Sequence, residues 1–264
     1  MPRWILLLAL IVAPAFSSTK LLVTVIERSS GKPVTDLKAA DFTVLDGKTP
    51  RQVEGAEFAQ GLMDVMLLLD TSLVGETVRP VADSLIDQLE PKEQMAIVSF
   101  HSSADLIQDF TSSRELLKRA IASVRYGNTP RVLDAVYAAI DGGFANSTFR
   151  RVLVILTTGY EGASRSTEKE VVKLARRNAV SIYPIYMAGA ERSMFESLAR
   201  QTGGASFSLR DMRKSLTGAP GARIFEVLRS HYTLTVAGNL SLGERLKVDV
   251  QRTGKLLVSV LPLE

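Results

Sequence analysis

The hydrophobic pattern of the chain changes character near residue 64. Before it, short β-branched runs are broken by turn residues: KLLVTVIER, then SSGKPVTDLKAADF, then FTVLDGKTPRQVEGAEFA, with Ser-Gly-Lys-Pro and Asp-Gly as the turn signals. After it, unbroken apolar runs of strand length alternate with amphipathic segments. DVMLLLD, QMAIVSF, RVLVILTTG and VSIYPIYMA read as strands, and the continuous RVLVILTTG suits a central parallel position. QMAIVSF and ADLIQDF are separated only by HSS, which predicts an antiparallel hairpin at a sheet edge.

Helices are expected between these strands. TVRPVADSLIDQLE places Val78, Val81, Leu85 and Leu89 on one face. SSRELLKRAIASVRY opens on a serine cap, and VLDAVYAAIDGGF stops at Gly142-Gly143. STEKEVVKLARRNA carries a capping box, RSMFESLARQTGG is closed by glycines, and GARIFEVLRSH completes the set. ASFSLR reads as a short strand. The tail returns to β structure in YTLTVAG, RLKVDVQRTG and KLLVSVLPLE.

The expected fold class is therefore α/β: a doubly wound, mostly parallel sheet with helices on both faces over residues 62–230. The strands of 16–61 and 231–264 are too few on either side to fold alone, so they are expected to pair into one small β module. Residues 1–15, MPRWILLLALIVAPA, have the layout of a signal peptide: Arg3, an apolar run from Trp4 to Val12, then Ala-Pro-Ala. That run is well short of the roughly 20 residues needed to span a bilayer. The expectation is a secreted or periplasmic protein with no membrane span after cleavage.

Composition narrows the chemistry. The 264 residues are 46% hydrophobic and 23% charged, with a net charge of +4 that is not gathered into a basic stripe, so no nucleic-acid partner is expected. No cysteine is present, which removes disulfides, thiol catalysis and thiolate metal sites. There is no G-x-S-x-G elbow, no phosphate-binding loop and no dinucleotide fingerprint. The two histidines have ordinary expected places. His101 sits in the turn FHSSAD as a solvated side chain, and His231 follows a helix end, where a cation would face the C-terminal dipole.

In an open α/β sheet, ligands collect at the carboxyl ends of the parallel strands. Three polar segments fall there: LLLDTSLVG (67–75), GNTPRVLDA (127–135) and VILTTGYEG (154–162). With this order of elements, residues 62–210 resemble the von Willebrand factor type A domain, the fold of integrin I domains. GKPVTDLKAADFTVLDGKTPRQVEGAEF and QTGGASF are similar to the secreted acidobacterial group of type A-related proteins. The resemblance implies a metal-ion-dependent adhesion site, built from D-x-S-x-S, a threonine and a further aspartate. Carried over, Asp70 and Ser72 match the first two positions, Val74 stands at the second serine, Thr129 matches the threonine, and Thr158 stands at the aspartate.

Magnesium wants six oxygens in octahedral array, and one carboxylate with a few hydroxyls should hold it no better than about millimolar. Glu161, three residues after Thr158, is a possible second charge. In the other reading, Asp70 and Ser72 hydrogen-bond the neighbouring loops and cap the first helix. The resemblance then implies a degenerate site, no cofactor or at most weak magnesium, and a protein partner at the C-terminal face of the sheet. The expected rim is Arg131, Thr158, Tyr160 and Glu161, binding rather than catalysing. Alternatives are a weak magnesium-dependent module completed by a partner's carboxylate, or a phosphatase. LLLDTSLV with VILTTG also looks like the haloacid-dehalogenase family, but Ser72 replaces that family's general-acid aspartate.

Overall fold

The computed structural model describes residues 17–72, 75–187, 189–215, 220–240 and 246–263. The chain runs through β1 (Ser18–Glu27), β2 (Phe42–Asp46), β3 (Thr49–Arg51) and β4 (Val53–Gln60). The alternating part follows with β5 (Met63–Asp70), α1 (Arg79–Ile86), β6 (Gln94–Phe100), β7 (Ala104–Thr111), α2 (Arg114–Ser123) and α3 (Val132–Gly143). It continues through β8 (Arg150–Thr157), α4 (Glu168–Arg177), β9 (Val180–Tyr186), α5 (Arg192–Gln201) and β10 (Phe207–Ser208). Last come α6 (Leu209–Ser215), α7 (Gly221–Arg229), β11 (Ser230–Ala237), β12 (Leu246–Val250) and β13 (Leu256–Leu263).

Six strands form the central sheet in the order β10-β9-β8-β5-β6-β7, parallel except for the antiparallel edge hairpin β6–β7. From β5 the chain steps to β6 on one side and later to β8 on the other. The order reverses at β5, so the crevice of this sheet opens over the carboxyl ends of β5 and β8. Every residue of β5 is buried, because alternate side chains serve two cores. Leu67 and Leu69 pack with α1, α2 and α7, whereas Met66 and Leu68 pack with α3, α4 and α5. Each such side chain contributes on the order of 2 kcal/mol through burial.

The first and last strands meet as the pattern suggests. β13-β1-β11-β4 form one antiparallel sheet and β12-β2-β3 another, with Leu21, Val23, Phe42, Val44, Tyr232 and Leu234 in the core they share. Tyr232 crosses that core and reaches its far side, donating to Val34 O at 3.0 Å and accepting from Leu37 N at 3.0 Å.

Local signals hold where the partners lie close in sequence. Ser113 accepts from Leu116 N at the start of α2, and Thr167 and Glu170 form the expected capping box on α4. The segment ASFSLR differs from its expected strand. Only Phe207–Ser208 pair with β9, and Leu209 starts α6, because Leu209 turns into the core against α7 rather than continuing along the sheet edge. The first helix also differs at its start: a 3-10 turn, Gly75–Val78, leads into α1, whose N-cap is Val78 with no side-chain cap. Residues 1–15 and Val74 lie outside the described residues.

Candidate functional site

Strand β5 delivers Asp70 to the crevice fully buried, and its carboxylate is ringed by donors. Oδ1 accepts from Ser72 N at 2.9 Å. Oδ2 accepts from Thr157 Oγ1 at 3.0 Å, Thr158 N at 2.9 Å and Thr158 Oγ1 at 2.8 Å. A carboxylate offers about four lone-pair sites, and four donors address this one. The threonine at the end of β8 thus turns both its amide and its hydroxyl onto the aspartate at the end of β5. Thr71 fixes the other side of the turn, donating its hydroxyl to Phe100 O at 3.0 Å and its amide to the same oxygen at 2.8 Å. Gly75 passes so close to the Asp70 carbonyl that any Cβ there would collide with it.

The loops around this centre interlock through their backbones. Gly127 N donates to Thr71 O, Arg131 N to His101 O, and Gly162 N to Pro130 O, at 2.7, 2.8 and 2.7 Å. A Cβ at Gly162 would strike Pro130 O and the Thr129 methyl, so the 158–166 loop can lie on the 127–131 loop only with glycine there.

Helix α3 starts under these loops, and its cap is supplied from far along the chain. Glu161 Oε2 accepts from Val132 N at 2.8 Å and Leu133 N at 3.3 Å, and Ser164 Oγ accepts from Asp134 N at 3.3 Å. Asp134 returns the favour by accepting from Arg165 N and Ser166 N at 2.9 and 2.8 Å. It is a capping box split between two loops. Burial pushes the Glu161 carboxyl up, opposed by hydrogen bonds from Ser164, Val132 and Leu133. For Asp134, burial works in the same direction but is outweighed by the Ser166 and Arg165 amides, which hold it below the ordinary carboxylate range.

The residues singled out from sequence divide as follows. Asp70, Ser72 and Thr158 come together and are buried. Asp70 and Ser72 bond the neighbouring loop and strand end, but they do not cap the first helix. Thr129 is exposed on its loop and makes no hydrogen bond to Asp70 among the described residues. Arg131 is half-buried at the N-cap of α3, and Tyr160 stands 54% exposed on the rim. Glu161 lies below the rim as the cap of α3. Two buried oxygens, Ser72 Oγ and Glu161 Oε1, meet no hydrogen-bonding partner among the described residues, and ordered water commonly satisfies groups of this kind. Sequence reasoning passed over Tyr126, 38% exposed beside Gly127; its position before a turn glycine was the available signal.

His231 departs from expectation. It stands in β11, and burial followed by the Arg150 guanidinium lowers its pKa from 6.5 to about 4, so it is neutral and not a cation at a helix end. Among the described residues, no three His, Cys, Asp or Glu side chains are grouped to hold a metal ion. Likewise, no described helix is long and apolar enough to cross a membrane.

A mixed sheet with one antiparallel edge, and a strand-end Asp-x-Ser at its switch point, define a type A-like α/β domain. Residues 64–219 match the von Willebrand factor type A domain, and the chain belongs to that family. Among solved structures, proximal thread matrix protein 1 of the mussel byssus, described with a zinc-occupied MIDAS motif, aligns with a TM-score of 0.55 at 15% identity, over 67% of this chain and 49% of that one. An aerotolerance-related membrane protein from Bacteroides fragilis aligns with a TM-score of 0.48 at 13% identity, over 63% and 97%. BatB from Bacteroides thetaiotaomicron gives a TM-score of 0.48 at 15% identity, over 62% and 96%. No curated protein sequence matches the chain. Domains of this family are in general interaction modules rather than enzymes.

Proposed function

We propose that this chain binds a protein partner through the rim over the carboxyl ends of β5 and β8, and that it does so without a metal ion. The observation that carries this reading is the hydrogen bonding of Asp70, with three donors on Oδ2 and one on Oδ1. A hard divalent cation needs carboxylate lone pairs facing it, and here both oxygens of the buried carboxylate already accept from Ser72, Thr157 and Thr158. The donor set therefore suits a hydrogen-bonded plug better than magnesium. The adhesion site is in this reading degenerate, and recognition passes to the rim: Arg131, Tyr160 and the backbone of 158–162. Exposed tyrosine and arginine are the side chains that dominate protein interfaces. The interlocked loops hold them in place before binding, which lowers the entropy cost of association.

The signal-like N-terminus supports a secreted or periplasmic setting. One observation favours weak magnesium binding as a second reading: Ser72 Oγ is an unbonded oxygen beside Asp70. A single negative charge that is already hydrogen-bonded keeps that reading second.

Capture from a cell-envelope extract on the immobilised chain tests the proposal. The same partner should be retained in EDTA and in magnesium, and lost on the Tyr160→Ala, Arg131→Ala double variant. Retention that requires magnesium would contradict it.

A further inference from the structure

A groove of about 300 Å³ opens between the C-terminal half of α3 and the edge strand β7. Its floor includes Met66 and Val98, which belong to the core of the central sheet, and its walls include Ala138 and Gly142 on α3 and Leu106 on β7. None of Arg131, Thr158, Tyr160 or Glu161 lines it, so it is separate from the rim. Two features mark it as shaped for an occupant. Leu106 is 59% exposed, more than any other large apolar side chain among the described residues. A Cβ at Gly142 would meet nothing within 4 Å. Internal packing therefore does not call for glycine at 142, although glycine weakens a helix. At Gly143, by contrast, a Cβ would meet the end of the Met66 side chain, which would have to shift.

The charge around the groove selects the partner. Asp109 lines it, and Asp141, next in sequence to the lining Gly142, stands exposed on α3. No lysine or arginine lines the groove, and neither aspartate has an ion-pair partner among the described residues. The outer side of β7 is unpaired, because β7 ends the sheet. Its second half is closed by its own side chains: Phe110 N donates to the Asp109 carboxylate at 2.7 Å, and the Gln108 amide donates to Asp109 O at 3.0 Å. A partner strand thus gains little by running along the whole edge, and the groove is left as the main anchor.

We propose that this groove receives a cationic segment of another protein, with one aliphatic side chain seated between Leu106 and Gly142 and flanking lysines or arginines facing Asp109 and Asp141. Apolar anchoring supplies affinity, and the two carboxylates supply sign selectivity.

The test is fluorescence anisotropy with a fluorescein-labelled octapeptide bearing one leucine between lysines, against its glutamate counterpart. The lysine peptide should bind saturably and the glutamate peptide should not. Gly142→Leu fills the groove, and Asp109→Lys reverses its charge; each should weaken binding by about tenfold or more. Thermal melts should show both variants folded, and Gly142→Ala should melt no lower than the parent. Failure of the lysine peptide to bind, or binding undiminished by Gly142→Leu, would overturn the proposal. Sedimentation of the chain alone covers the other occupant: a dimer dissociated by Gly142→Leu would give the groove to a second copy and equally overturn it.

Discussion

Thr158 donates both its hydroxyl, at 2.8 Å, and its amide, at 2.9 Å, to the same oxygen of Asp70, joining the ends of two adjacent parallel strands across 88 residues of sequence. An aspartate at 158 would face Asp70 with a like charge in a buried site. Thr158→Asp should therefore destabilise the fold by roughly 2–4 kcal/mol in EDTA, and millimolar magnesium should restore much of the loss by bridging the pair. Differential scanning fluorimetry with and without the ion reads both effects. Asp70→Ala should be destabilised alike in either buffer, since it strands the donors of Ser72, Thr157 and Thr158.

Glu161 ties the rim loop to the first turn of α3. Glu161→Ala removes an acceptor shared by two helix-terminal amides, with an expected cost of about 1–2 kcal/mol. Amide hydrogen exchange offers a local check, because Val132 and Leu133 should lose protection while the β5 amides keep theirs.

Glu93 is fully buried and paired with Arg229, with N–O distances of 3.0 and 2.6 Å, while the same guanidinium donates to Gln88 O at 2.7 Å and lies 5.0 Å from the Phe225 ring centroid. The pair fastens the loop before β6 to the junction of α7 and β11. Removing one partner leaves an uncompensated buried charge, so Arg229→Leu should cost roughly 3–5 kcal/mol in urea unfolding. The double variant Glu93→Leu, Arg229→Leu should recover part of that.

His231 makes stability depend on acid. Its folded pKa, about 4, lies below the unfolded value of 6.5, so between these two pH values the unfolded chain takes up the proton first. Its contribution is complete above about pH 6.5 and falls away as pH drops towards 4, by roughly 3 kcal/mol. Urea midpoints at pH 7 and pH 4.5 should differ less in His231→Gln than in the parent chain.

The features legible in the sequence were those set by short-range pattern. The apolar run ending at Asp70 gave β5, the three-residue spacer HSS gave the edge hairpin, and Thr167 with Glu170 gave the start of α4. What escaped notice depends on contacts between distant segments. The Glu161 cap exists because Gly162 N meets Pro130 O, which brings a loop 29 residues downstream onto α3. The neutrality of His231 depends on its burial and on Arg150 from β8, neither of which its own neighbours disclose. Phe207–Leu209 alternate as a strand would, yet Leu209 is drawn into the core and starts a helix. At the site itself, the residue types at 70, 72 and 158 could be read directly, whereas their mutual hydrogen bonding could not.

Metal-independence is tested most directly by calorimetric titration of magnesium and manganese into the chain. No saturable heat below about millimolar ion is predicted for either, because the Asp70 oxygens are already bonded. A saturable micromolar heat that disappears in Asp70→Ala would contradict it.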